Sequence, residues 1–143
     1  MHPIGRNILA VVTGFAVGSI VNSMLVKLGT NVIPLPEGAD ISTPEGLKAA
    51  LPLFEGKHFI FPLLAHALGT FAGAWLAAWI AANNKMKFAI AIGVLFLLGG
   101  IAMAFMVPSP TWFTALDLIV SYLPMAYLGG KLATRNSDAR RYA

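Results

Sequence analysis

Long apolar runs separated by short polar interruptions dominate the chain. Residues 8–26, 59–82, 88–107 and 112–130 form four such runs of 19 to 24 residues. A helix needs about 20 apolar residues to cross the hydrocarbon core of a bilayer. The runs are continuous rather than alternating, which predicts helices and not the strands of a barrel. Arg6, the first run and the small-residue stretch Val21-Asn22-Ser23 have the look of a cleavable signal peptide. The run continues through Met24-Leu25-Val26, which is long for a signal, so it is taken as a membrane helix.

Composition agrees with the pattern. Of 143 residues, 57% are hydrophobic and 11% charged. A soluble domain of this size would carry about 25% charged residues. The expectation is an all-α integral membrane protein, one domain, built as a four transmembrane helix bundle of two hairpins. There is no cysteine, which excludes disulfides, thiolate metal sites and cysteine nucleophiles.

The net charge is +4, and its placement predicts orientation. Arg6 precedes the first run, Lys85 and Lys87 lie between the second and third, and Lys131, Arg135, Arg140 and Arg141 follow the fourth. The connection 27–58 balances Lys27, Lys48 and Lys57 against Glu37, Asp40, Glu45 and Glu55, and residues 108–111 are uncharged. Both termini are therefore expected on the cytoplasmic side of an inner membrane. Trp79 and Trp112 fall where aromatic belts belong, and His2, Lys57 and His58 read as interfacial. The basic tail suits topology and anionic lipid; it is too short to suggest nucleic acid. "GGK" at 129–131 lacks the following Ser or Thr and the preceding strand of a phosphate loop.

The connection 27–58 is too long for a plain turn. Its first part is rich in Pro and Gly. Ser42 and Glu45 have the spacing of a capping box, with Pro44 in the first turn. Leu47, Ala50, Leu51 and Phe54 share one helical face, predicting a short amphipathic helix over about 44–54, bent or ended by Pro52. It would lie on the outer bilayer surface or cover the bundle; a gate or a docking surface is the sharper alternative.

The candidate chemistry lies inside the spans. Counted from their outer ends, Asn22, His66 and Asp117 sit at about 6–11 Å depth for a rise of 1.5 Å per residue. At 100° per residue, His66 shares a stripe with Pro62, Gly69, Thr70 and Gly73, and Phe71 and Trp75 fall off it, toward lipid. Asp117 shares one with Thr114, Ser121 and Pro124, and Asn22 with Gly18 and Ser19. Tyr122 and Tyr127 lie off the stripe and read as packing or belt residues. Pro124 is expected to kink the fourth helix and free the Val120 carbonyl. Gly14 and Gly18, Gly69 and Gly73, and Gly93 and Gly100 mark the faces on which helices approach closely.

The predicted site is therefore Asn22, His66 and Asp117 with Ser19, Thr70, Thr114 and Ser121, held in the bundle interior. Intramembrane ionisable residues mark a proton or ion path by default, and an imidazole titrates in the physiological range. The expected function is a small transporter or channel for protons or a small solute. A non-catalytic accessory subunit, with the polar groups as interhelical glue, is the alternative. No nucleophile–base spacing points to an enzyme, no cofactor is implied, and one His with one carboxylate is too little for a metal site. The expected partners are the lipid bilayer and either further copies of the chain or a larger membrane complex.

Overall fold

The computed structural model describes residues 2–139, and Arg140 and Arg141 of the basic tail lie outside them. Helix boundaries fall where the chain offers caps and breakers. α1 (Pro3–Val32) starts with proline, whose missing N–H would be unpaired there in any case. α2 (Pro44–Ala50) also starts with proline, and Thr43 Oγ1 accepts from the Gly46 N–H at 3.0 Å. The cap is thus Thr43, one residue later than the expected Ser42. Pro44 fills the first helical position, so the capping role falls to its immediate neighbour. The Ser42 N–H instead donates to Asp40 Oδ1 at 2.8 Å. Pro52 tightens the chain into a 3-10 turn, Leu51–Leu53, so the helix expected to reach Phe54 ends at Ala50.

A second 3-10 turn, Gly56–Phe59, leads into α3 (Ile60–Ile80). Asn84 takes a left-handed conformation, φ 45°, and turns the chain into α4 (Lys85–Met106). Pro108 and Pro110 separate α4 from α5 (Thr111–Val120), and α6 (Leu123–Ala139) follows. Among the described residues there is no strand. Pro3–Val32, Gly56–Ile80, Lys85–Met106 and Thr111–Arg135 are long and apolar enough to cross a membrane.

Two boundaries depart from the sequence pattern. α1 runs well past 8–26 at both ends: Pro3 starts it, and residues 27–32 contain no proline to stop it. The fourth span is not the single kinked helix expected over 112–130. It is interrupted by a turn at Ser121 and Tyr122, and Pro124, second residue of α6, has no N–H to offer the Val120 carbonyl.

Packing turns a soluble protein inside out. The buried core is mostly alanine: Ala74, Ala77, Ala78, Ala89, Ala126 and Ala133, with Ile92. Large apolar side chains such as Met24, Phe105 and Ile119 point outward, Phe105 at 85% exposure. In water such a surface would be a liability; against lipid it is the favourable arrangement. α3 is central. A Cβ on Gly18 would lie 2.7 Å from the Gly69 carbonyl oxygen, and one on Gly73 2.5 Å from that of Gly14. Two glycine pairs therefore let α1 and α3 cross backbone to backbone. On the far side of α3, a Cβ on Gly129 of α6 would lie 2.6 Å from the Phe71 carbonyl oxygen. Phe71 and Trp75, expected toward lipid, are thus on the α6 side of α3, and Trp75 packs partly buried against the alanine core.

The bundle has two unlike ends. At the termini end, Asn7 Oδ1 accepts from the Ala82 N–H at 2.9 Å, Asn7 Nδ2 donates to Asn83 Oδ1 at 3.1 Å, and Arg6 Nε donates to the Ile80 carbonyl. These bonds tie the start of α1 to the end of α3. The loop end carries the connection from α1 to α3 and a cluster of rings. Phe59 sits at its centre, with ring centroids 4.8 Å from Phe113, 5.4 Å from Trp112 and 5.9 Å from Phe54.

Candidate functional site

His66 sits in the second turn of α3, and its ring faces α5. Asp117 sits in the last turn of α5, before the break. Their side chains meet: Nδ1 of His66 lies 2.9 Å from both Oδ1 and Oδ2 of Asp117. The pair is satisfied when Nδ1 carries its proton and the carboxylate accepts it. Asp117 is 5% exposed and the His66 side chain 31%, so the carboxylate end of the contact is buried and the ring is partly open.

A third group completes the constellation, and sequence spacing did not single it out. The Tyr122 hydroxyl donates to Asp117 Oδ2 at 2.9 Å and lies 3.2 Å from His66 Nδ1. The two rings are near-parallel, 27° between planes, with centroids 5.9 Å apart. In an unbroken helix, residues five apart point about 140° from one another. The turn at Ser121–Tyr122 removes that separation and lets Tyr122 reach back to Asp117. The signal was Pro124, which announced a disturbance in the helix without giving its geometry. Tyr122 is 2% exposed and belongs to neither a belt nor the lipid face.

The pair opens on a cavity of about 530 Å³ at the loop end. That is within the range of small-molecule sites, roughly 300–1,000 Å³. α1 contributes Asn22 and Val26, α4 contributes Phe96, Gly99 and Gly100, and α5 contributes Thr114 and Leu118. Leu47, Leu51 and Phe54 from the α1–α3 connection line it as well. The apolar face of α2 and the turn after it therefore points onto the cavity.

The predicted polar residues separate into three sets. His66 and Asp117 are bonded to each other. Asn22 and Thr114 line the same cavity but make no hydrogen bond to the pair, so of the three groups expected at similar depth only His66 and Asp117 are bonded. Thr70 and Ser121 lie one helical turn past His66 and Asp117, fully buried, with hydroxyl oxygens that have no partner. Ser19 is partly buried and outside the cavity lining. Of the predicted packing glycines, Gly14, Gly18, Gly69 and Gly73 form the α1–α3 crossing. Gly93 faces Ala126 of α6, and Gly100 faces Tyr122.

His58 also lines the cavity wall but serves the loop. The Glu55 N–H donates to its Nδ1 at 2.9 Å, so Nε2 carries the proton and donates to the Pro34 carbonyl at 3.2 Å. Both ring nitrogens are used in tying residue 34 to the Gly56–Phe59 turn. His58 is 9% exposed, buried by the loop that it ties together.

Beyond the pair, toward the termini end, the alanine core closes the bundle. Among the described residues, no three His, Cys, Asp or Glu side chains come together as metal ligands would. No family model, curated protein or solved structure matches this chain.

Proposed function

We propose that this protein is a small multi-pass carrier of an inner membrane, which admits a small solute at the loop end and couples its passage to a proton held at His66 and Asp117. One observation carries the reading: a buried carboxylate, Asp117, bonded to a half-buried imidazole, His66, stands on the wall of a cavity that ends there, above closely packed alanine. A dead-ended cavity suits a carrier that changes conformation better than an open channel. The unpartnered hydroxyls of Thr70 and Ser121, one turn deeper, supply polar groups on the route a proton would take. The distribution of Lys and Arg supports cytoplasmic termini, and with that orientation the cavity would lie on the outer side with α2 above it. The small four-helix size favours a homo-oligomer or a subunit of a larger assembly.

Reconstituted vesicles test it. With a pH-sensitive dye inside, wild-type protein is expected to move protons down an imposed gradient, and Asp117→Asn and His66→Ala to reduce that rate by tenfold or more, an effect in the range of a positioned proton-transfer group. Equal rates in all three sink the carrier reading. The alternative, an accessory subunit, draws on the Asp117 bonds, which tie α3, α5 and the following turn together as interhelical glue would. A stoichiometric larger partner retained on purification from native membranes would favour it.

A further inference from the structure

We infer that the cavity takes an uncharged, largely apolar molecule bearing a hydroxyl group, and that this hydroxyl bonds Nε2 of His66. The inference rests on reading the cavity as a solute site, and it names the class of solute.

The polar chemistry of the cavity decides the class. Both carboxylate oxygens of Asp117 are already engaged, by His66 and by Tyr122, and the residue is 5% exposed. Little of the carboxylate is left open to a ligand ammonium. Among the described residues no lysine or arginine lines the cavity, so an organic anion would meet a carboxylate with no lysine or arginine to offset it. His58 has spent both ring nitrogens within the loop. Asn22 and Thr114 also present uncharged polar groups to the cavity, and of its ionisable side chains the one with a free nitrogen is His66. Its Nδ1 is held by Asp117, Nε2 has no partner among the described residues, and the ring lines the cavity with its side chain 31% exposed. Holding one nitrogen fixes the role of the other. Nε2 is an acceptor when the ring is neutral and a donor when it is charged. A hydroxyl can bond both states, whereas a carbonyl bonds one and an ammonium the other. Aromatic and aliphatic side chains, Phe54, Phe61, Phe96, Phe113, Leu47 and Leu51, make up much of the remaining wall.

The test is equilibrium binding to the full chain in phosphatidylcholine nanodiscs, with protein-free discs as blank. Four probes share one apolar body: 2-naphthol, naphthalene, 2-naphthoate and 2-naphthylmethylammonium. The expected result is saturable binding of 2-naphthol, about tenfold tighter than naphthalene, the difference one buried hydrogen bond makes. The Nε2 resonance of His66 in the wild type is expected to move with 2-naphthol and not with naphthalene, which needs no variant to fold. His66→Phe is expected to equalise the two. A preference unchanged in His66→Phe, or an unmoved Nε2 resonance, overturns the His66 assignment. Naphthoate or the ammonium binding as tightly as naphthol overturns the solute class while leaving the cavity a solute site. No saturable binding of any probe overturns both.

Discussion

The Tyr122 hydroxyl occupies the space that a side chain on Gly100 would need. A Cβ at Gly100 would lie 2.5 Å from that oxygen and 2.7 Å from Cζ of the ring. The phenol reaches Asp117 because α4 carries glycine at this point. Gly100→Ala is therefore expected to push Tyr122 off the carboxylate and to lower stability by about 1–3 kcal/mol, the usual range for overpacking a tight site. Tyr122→Phe, which removes only the bond, should cost nearer the 0.6 kcal/mol average of membrane hydrogen bonds. Unfolding in mixed micelles measures both. A Gly100→Ala cost no larger than that of Tyr122→Phe would refute the steric argument.

The glycines of the α1–α3 crossing should behave unlike Gly99. A Cβ on Gly18 would meet a backbone oxygen at 2.7 Å and the Phe96 ring at 2.9 Å, and backbone cannot swing aside. Around Gly99 there is nothing within 4 Å. Gly18→Ala is expected to cost about 1–3 kcal/mol or to prevent folding. Gly99→Ala is expected to be neutral or to gain up to about 1 kcal/mol in helix propensity. The same micelle titration compares them, and equal costs would argue against a backbone-to-backbone crossing.

In the connection between α1 and α3, the cap position is testable by hydrogen exchange. Thr43→Ala removes the acceptor for the Gly46 N–H and should destabilise α2 by about 1 kcal/mol. Exchange at Gly46 should then accelerate roughly fivefold if local opening controls it. Ser42→Ala should leave Gly46 unchanged, since Ser42 does not cap the helix. The reverse pattern would restore the cap to Ser42.

Asp40 gives the connection a pH dependence of known sign. Hydrogen bonds from the Ser42 side chain and backbone hold its carboxyl below the ordinary value of 3.8. A carboxyl lowered on folding contributes stability that is present above its unfolded value and is lost as pH falls through the folded one. The Ser42 amide resonance is therefore expected to hold steady from neutral pH down to about 4 and to shift at lower pH. In Asp40→Asn that titration should vanish. The side chain is fully exposed, so global stability should hardly change.

The sequence by itself determined that the chain is helical and apolar enough for four spans. That follows from run length and the scarcity of charge, which are local properties. It also brought out His66 and Asp117 as the ionisable groups within those runs, and it marked the glycines of the α1–α3 crossing, because a four-residue spacing always shares a helix face. Tertiary structure decided the rest. Equal depth put Asn22 beside Asp117, but depth does not fix rotation between helices, and Asn22 faces the cavity without bonding the pair. Helical periodicity placed Tyr122 on the wrong face because it assumed an unbroken helix. Pro124 withdraws one hydrogen bond, and the chain answers with a turn at Ser121–Tyr122 whose geometry depends on α4 having no side chain at Gly100. The cavity, too, exists only where α1, α4, α5 and the α1–α3 connection fail to meet, and no single segment encodes that gap.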